Sequence, residues 1–266
     1  MQGQEGSRLG WDLSGVVEQA AADGSGPARG ARVVGILSSA AWGELVAVPT
    51  SALAELPPSI SFAQAATLPV AGLTALYAVE HGGGLIARSV LVTGASGGVG
   101  MFACQLASLA GAQVVGQIRQ SQATSLVQEA GADRVVVDEN VAAAKEFGPY
   151  HLIIDQVGGS SLTEAMTQLA PGGKCVLIGG ITGTEVLLDK ARLRHAPGIS
   201  LDLFYLFFEF RHTSAASGLE RLVKLVDQGK LTPHIGIEAD WREISNIAQA
   251  LIERRFPGKA VLHVQS

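Results

Sequence analysis

The sequence predicts an α/β fold in which a doubly wound parallel sheet is joined to a smaller β-rich domain, and three observations predict it. Hydrophobic residues fill 47% of the 266 positions, charged residues only 16%, and there are 33 glycines, a composition suited to strands buried on both faces and joined by glycine turns. From residue 89 onward, apolar runs of strand length alternate with stretches of helical periodicity, which is the pattern of repeated βαβ units. Before residue 58 the chain reads instead as short strands separated by Gly-, Ser- and Pro-rich turns.

In chain order, residues 13–18, 32–37 and 44–48 are expected strands of the β-rich part, with the turn at 23–30 between the first two. Residues 62–80 are expected to be helical, interrupted near Pro69 and Gly72, because proline removes an N–H from the helical ladder. The alternation follows: strand 89–93, helix 98–110 with Val99, Phe102, Ala103, Leu106 and Ala110 on one face, strand 113–118, helix 122–130 and strand 134–137. It continues with strand 152–155, helix 162–169 and strand 174–178. Parallel strands with helical crossovers imply right-handed connections. Beyond Gly198 an aromatic run precedes two helices. The first covers 219–228 and ends at Gly229; the second follows Asp240, with Glu243 expected to complete a capping box. Residues 259–264 read as a last strand returning to the β-rich part, since a sheet ending near Ile178 offers it no place. The domain reading is therefore 1–65 for the β-rich part, 66–198 for the parallel sheet, and 199–266 for a return to the β-rich or substrate part.

A formal charge of −5 gives no electrostatic reason for a nucleic acid or an anionic membrane as partner. The first ten residues are polar and glycine-rich, unlike a secretory signal, and the most apolar stretch, 199–210, is short and carries Asp202 and Glu209. Cys104 and Cys175 stand alone in a helical and a strand pattern, so a disulfide framework is not expected. A soluble cytoplasmic protein is the expectation.

The segment 90–100 runs from an apolar strand through Gly94-Ala-Ser-Gly-Gly-Val-Gly100 directly into a helix. Ala95, Gly97 and Gly100 take the spaced positions of G-x-G-x-x-G, where small residues let the backbone approach a pyrophosphate and the helix start supplies free N–H groups. The alternative is a plain glycine turn, and the strand before it and the amphipathic helix after it favour a dinucleotide on a Rossmann unit. About twenty residues further on, where an acid would accept a ribose hydroxyl, the chain has Arg119 and Ser121. They point to NADP(H), with a merely solvated arginine as the other reading.

Several separated motifs then agree: Gly10-Trp-Asp-Leu-Ser-Gly-Val-Val17, Ala66-Thr-Leu-Pro-Val-Ala-Gly-Leu-Thr-Ala75, the turn at 94–100, Asp155-Gln-Val-Gly-Gly159, Gly172-Gly-Lys-Cys-Val-Leu-Ile-Gly179, Gly229-Lys-Leu-Thr-Pro233 and Gly258-Lys-Ala-Val-Leu262. In this order the chain resembles the medium-chain dehydrogenase/reductase superfamily, zinc-independent quinone oxidoreductase-like branch, over nearly its whole length. The resemblance implies a Rossmann domain with a GroES-like β-rich domain that lacks the usual N-terminal segment. It further implies that Thr74 lies near the nicotinamide, that Ser96, Gly97, Gly98 and Val99 hold the pyrophosphate, and that Arg119 and Ser121 face the adenosine phosphate. Gln156, Val157, Gly180 and Thr182 would line the rest of the cofactor, in a cleft between the two domains. Each has a plainer alternative: Thr74 could bond its own helix, and 179–180 could be only a tight turn.

Phe204, Tyr205 and Phe208 fall where such relatives flank the substrate cleft, with core or dimer packing as the alternative; Tyr205 is the one proton donor among them. The zinc enzymes of the superfamily use clustered Cys, His and acidic ligands, whereas here the two cysteines and six histidines are scattered. A metal-free NADPH-dependent reductase of quinones or α,β-unsaturated carbonyls is the expectation, with an apolar carbonyl substrate and a homodimer. A non-redox cyclase or lyase, and a cofactor-sensing binding protein, are the alternatives. An incomplete cover over the nicotinamide would give weak or narrow activity.

Overall fold

In the computed structural model the described residues are 8–179 and 185–264, and they form two compact units, 1–73 with 206–266 and 74–205.

The unit from Thr74 to Tyr205 is a six-stranded sheet, parallel throughout, in the order β6-β5-β4-β7-β8-β9. Its strands are β4 (Ser89–Val92), β5 (Gln113–Ile118), β6 (Arg134–Val137), β7 (Tyr150–Asp155), β8 (Leu169–Leu177) and β9 (Ser200–Leu203). The central strands need no alternation because helices cover both faces. Val90, Leu91, Val92, Leu152, Ile153 and Ile154 are all fully buried. Helix α2 (Leu73–His81) leads into β4, and α3 (Gly98–Leu109), α4 (Thr124–Glu129) and α5 (Gly159–Met166) are the crossovers. Helix α3 buries Phe102, Ala103 and Leu106 of the face its spacing predicts, together with Met101, Cys104 and Ala107, while Val99 and Ala110 at its two ends are half-buried.

Two expectations fail in this unit. The sheet does not end near Ile178: Ser200–Leu203 pairs in parallel with Lys174–Leu177, because β8 otherwise presents an unpaired edge, and these residues belong here rather than to the β-rich part. The helix expected at 162–169 starts earlier and stops at Met166, as Leu169 joins β8 opposite Tyr150.

The other unit holds an antiparallel sheet, β1 (Asp12–Val16), β2 (Arg32–Ile36) and β3 (Leu53–Glu55). The strand expected at 44–48 does not form. Leu45, Val46, Ala47 and Val48 run on without alternation, and the segment pairs with none of β1, β2 and β3, so its backbone joins no ladder. Helix α1 (Phe62–Ala66) opens with a capping box in which the Ser61 hydroxyl accepts from Gln64 N at 3.1 Å and Gln64 Oε1 accepts from Ser61 N at 3.0 Å. The interruption expected at Pro69 is a π-helical turn, Leu68–Gly72. Val70 N, displaced from the regular ladder, donates to Asp12 Oδ1 at 2.8 Å, and Lys259 Nζ holds the other carboxylate oxygen at 3.0 Å.

Short helix α6 (Leu206–Glu209) leads to α7 (Ala215–Asp227), which packs on β2 and β3 and ends before Gly229 as expected. Gly229, at φ +67, supplies the left-handed turn past the helix end. The last strand, β11 (Lys259–His263), pairs in parallel with β10 (Ile235–Asp240), a two-stranded sheet separate from β1–β3. The capping box expected at Asp240 is absent. Asp240 accepts instead from the backbone and guanidinium of Arg242, a 3-10 turn follows, and α8 (Ile244–Ile252) begins only after Glu243. No helix among the described residues is long and apolar enough to cross a membrane.

Candidate cofactor site

The strand order reverses between β4 and β7, so the chain leaves these neighbouring strands toward opposite sides and opens a crevice beyond their carboxyl ends. Both motifs that end these strands converge there. Thr93 Oγ1, fully buried at the end of β4, donates to Asp155 Oδ2 at 2.9 Å and accepts from Gln156 N at 3.1 Å. Gln156 Nε2 donates to Thr93 O at 2.7 Å and Gly94 O at 3.4 Å. On the other side, Gln117 Oε1 of β5 accepts from Gly94 N at 3.0 Å, and its amide nitrogen reaches Asp138 O. The glycine-rich turn is thus tied to the strands on both flanks, with Gly94 itself at φ +61.

Within the turn, the glycines have different tasks. A Cβ on Gly100 would stand 2.5 Å from Gly94 O and 2.7 Å from Ala95 Cα, so Gly100 is required for the helix to start against the turn. A Cβ on Gly97 would meet only Gly94 O at 3.3 Å and Gln156 Oε1 at 3.9 Å. Gly97 is the N-cap of α3, with an extended backbone and no side chain to cap it. The N–H groups of Gly98, Val99 and Gly100 therefore have no intrahelical acceptor. Together with the positive end of a twelve-residue helix they make a donor set for an anion, and the space over Gly97 lets that anion approach. Ser96, Gly97, Gly98 and Val99 are partly exposed, while Ala95 is buried against Gly116, whose own Cβ would lie 3.1 Å from that of Ala95.

Asp155 lies at the centre of these ties. Burial pushes its carboxyl above the ordinary carboxylate range, opposed by hydrogen bonds from Gly158 N at 2.7 Å, the Thr93 hydroxyl, and Val157 N at 3.1 Å. A raised folded-state value means stability that is fully present below the unfolded value of 3.8 and lost as pH rises through the folded one. Asp155→Asn removes the titration. Its stability relative to the parent, from urea midpoints, is therefore expected to improve as pH rises through that window; a pH-independent difference contradicts the assignment.

Arg119 and Ser121 are exposed beyond the end of β5, on the same rim, and Arg119 makes no ion pair with a described residue. Thr74 is 7% exposed in the first turn of α2, and its hydroxyl bonds no described group, so the helix-backbone alternative is not taken. Gln156 and Val157 follow β7, with the Gln156 amide committed to the turn. Gly180 and Thr182 lie outside the described residues. Phe204 is core, 5% exposed and edge-on to His81 at 5.6 Å, while Tyr205 is 72% exposed. Phe208 belongs to the other unit, where it contacts His212 and Arg211. The sequence reading passed over Thr93, Asp155 and Gln117 as organisers. The available signal was a polar residue in or directly after each of three otherwise apolar strands.

No group of three or more His, Cys, Asp or Glu side chains among the described residues is placed to hold a metal ion. Both thiols are buried, and burial pushes Cys104 up to about 12 and Cys175 well above its ordinary value.

The fold and this rim define a Rossmann-type α/β protein with an anion-cradling turn at its switch point. Residues 98–206 match the family described as "Zinc-binding dehydrogenase". The chain is 31% identical over 283 residues to the mouse protein "NAD(P)H oxidoreductase RTN4IP1, mitochondrial", spanning 96% of this chain and 70% of that one. It is 26% identical over 265 residues to bovine "Quinone oxidoreductase-like protein 2", spanning 96% and 76% respectively. Among solved structures, mycobacterial Rv1454c, determined with NADPH, superposes with a TM-score of 0.86 at 25% identity, over 97% of this chain and 83% of that one. The chain belongs to the medium-chain dehydrogenase/reductase superfamily, in its quinone oxidoreductase-like branch.

Proposed function

We propose that this protein is an NADPH-dependent oxidoreductase that reduces quinones or α,β-unsaturated carbonyls without zinc. The observation that carries the reading is the open, uncapped start of α3 at the switch point, tied rigidly to β4, β5 and β7. The donor set fits a pyrophosphate: three N–H groups converge where a side chain would otherwise stand, and Gly97 leaves the approach clear. The NADPH in the mycobacterial relative and the name of the RTN4IP1 relative support the choice of group.

When bound, the nicotinamide supplies a hydride. The residues of this chain bind and orient. Gly98 and Val99 would take the pyrophosphate, Arg119 and Ser121 the adenosine phosphate, and the Thr74 hydroxyl, buried in the first turn of α2, a polar edge near the reacting ring. The scattered His, Cys and acidic residues favour a reaction that needs no Lewis acid, and addition to the β-carbon of an enone or to a quinone is such a reaction. Product analysis tests this: conversion of an enone to the saturated ketone supports it, and reduction of simple ketones in preference to enones contradicts it.

Arg119→Asp is expected to reverse the preference for NADPH over NADH, shifting the affinity ratio by about tenfold or more, because a charge-assisted phosphate contact becomes a repulsion. Equal binding of the two cofactors by the parent protein would reduce Arg119 to a solvated charge. We also propose a homodimer in the cytoplasm. Strand β9 is the outer strand of its sheet and Leu203 on it is 66% exposed, an edge suited to pairing with a second copy. A concentration-independent monomer in light scattering contradicts the dimer.

A further inference from the structure

The unit containing β1–β3 and α7 carries two clefts of nearly equal size, about 500 and 510 Å³, whose linings have opposite charge. The first is lined by Glu55, Glu220 and Asp227 with a single cation, Lys224. The second contains no acid. Its cation is Arg211, beside the His212 ring, and its apolar surface comes from Phe207, Phe210, Ile36 and Leu37. We propose that this second cleft is a binding site for a small apolar molecule bearing one anionic group, of the alkyl or aryl carboxylate class.

The local structure sets Arg211 at the lip. After α6 the chain turns tightly, with Arg211 N donating to Phe208 O at 3.0 Å and His212 N to Glu209 O at 2.9 Å. Arg211 and His212 therefore follow the aromatic pair directly, and the Arg211 guanidinium rests 5.1 Å above the Phe208 ring, which orients it without neutralising it. No ion pair with a described residue engages Arg211. Below them, Phe207 meets Phe210 edge-on at 5.7 Å and Trp11 at 6.3 Å. Thr213, Ser214 and Ala215 complete the wall at the start of α7, whose helix dipole adds to the same sign of field. An apolar floor with a cationic lip and no carboxylate selects a ligand that is greasy at one end and anionic at the other. This inference does not rest on the cofactor reading, since every residue named belongs to one unit.

Trp11, in edge contact with Phe207, provides the signal. Decanoate, decanol and decyltrimethylammonium are titrated into the full chain without cofactor, following tryptophan fluorescence and, independently, heat of binding. Decanoate is expected to bind, and decyltrimethylammonium not to. Arg211→Ala should weaken decanoate about five- to tenfold, the modest range of a partly solvated charge pair, while leaving decanol unchanged. Phe210→Ala should weaken both decanoate and decanol. Glu220→Gln, in the acidic cleft, should alter neither. Equal binding of decanoate and the ammonium analogue, or an Arg211→Ala effect no larger than that of Glu220→Gln, overturns the proposal. Circular dichroism on each variant separates lost binding from lost folding.

Discussion

Gly97→Asp is expected to abolish useful NADPH binding, at least about a hundredfold in Kd or ~3 kcal/mol, while leaving the protein as stable as its parent to within about 1 kcal/mol. The two effects separate because of where Gly97 sits. It is the N-cap of α3 in an extended conformation that any residue adopts, and its Cβ would find no contact closer than 3.3 Å. An aspartate there can accept the free N–H groups of the helix start, as N-cap aspartates do, and so occupies with its own carboxylate the place the pyrophosphate would take. Fluorescence titration and thermal melting of the same sample check both halves. Unchanged affinity in a folded variant removes the turn from the cofactor site.

Gly100→Ala is expected to do the reverse in its first effect. The added carbon meets Gly94 O at 2.5 Å and Ala95 Cα at 2.7 Å, both backbone atoms held by Gln156 and Gln117. The turn must move, at a cost of roughly 1–3 kcal/mol that outweighs the ~1 kcal/mol alanine gains over glycine in a helix. Cofactor affinity then falls only as a consequence of the displaced turn. Urea midpoints for the two variants provide the comparison: Gly97→Asp near the parent, Gly100→Ala clearly below it. Equal midpoints would mean that the two glycines share one role.

The parts of this fold that were legible in the sequence are those whose signal is local. Strand β5 and its neighbour β6 match the predicted bounds, and β4 and α3 match to within a residue, because buried parallel strands are continuous apolar runs and the glycine turn between β4 and α3 fixes where one ends and the other starts. What was not legible depends on partners distant in the chain. Ser200–Leu203 carries an aspartate in its middle and is a strand because β8 offers an open edge. Residues 44–48 are a short apolar run of strand length and are not a strand because they pair with none of β1, β2 and β3. In the site, the turn itself could be read, but the tie from Thr93 to Asp155 joins residues 62 positions apart and becomes visible only once β4 and β7 are known to be neighbours. Asp240 was read correctly as a cap, while its neighbour Arg242 claimed its carboxylate with three contacts that a Glu243 box would have needed free.

The central claim is that this chain uses NADPH to reduce a conjugated carbonyl or quinone. The measurement that tests it most directly is the loss of reduced-nicotinamide absorbance when the purified chain is given NADPH and a panel of quinones and enones, with product quantified in the same reactions. The account predicts NADPH consumption matched one to one by reduced product for at least one member of the panel, with NADH much slower and Gly97→Asp inactive. NADPH bound tightly but not consumed with any member of the panel, alongside turnover of a substrate that changes no oxidation state, would contradict it.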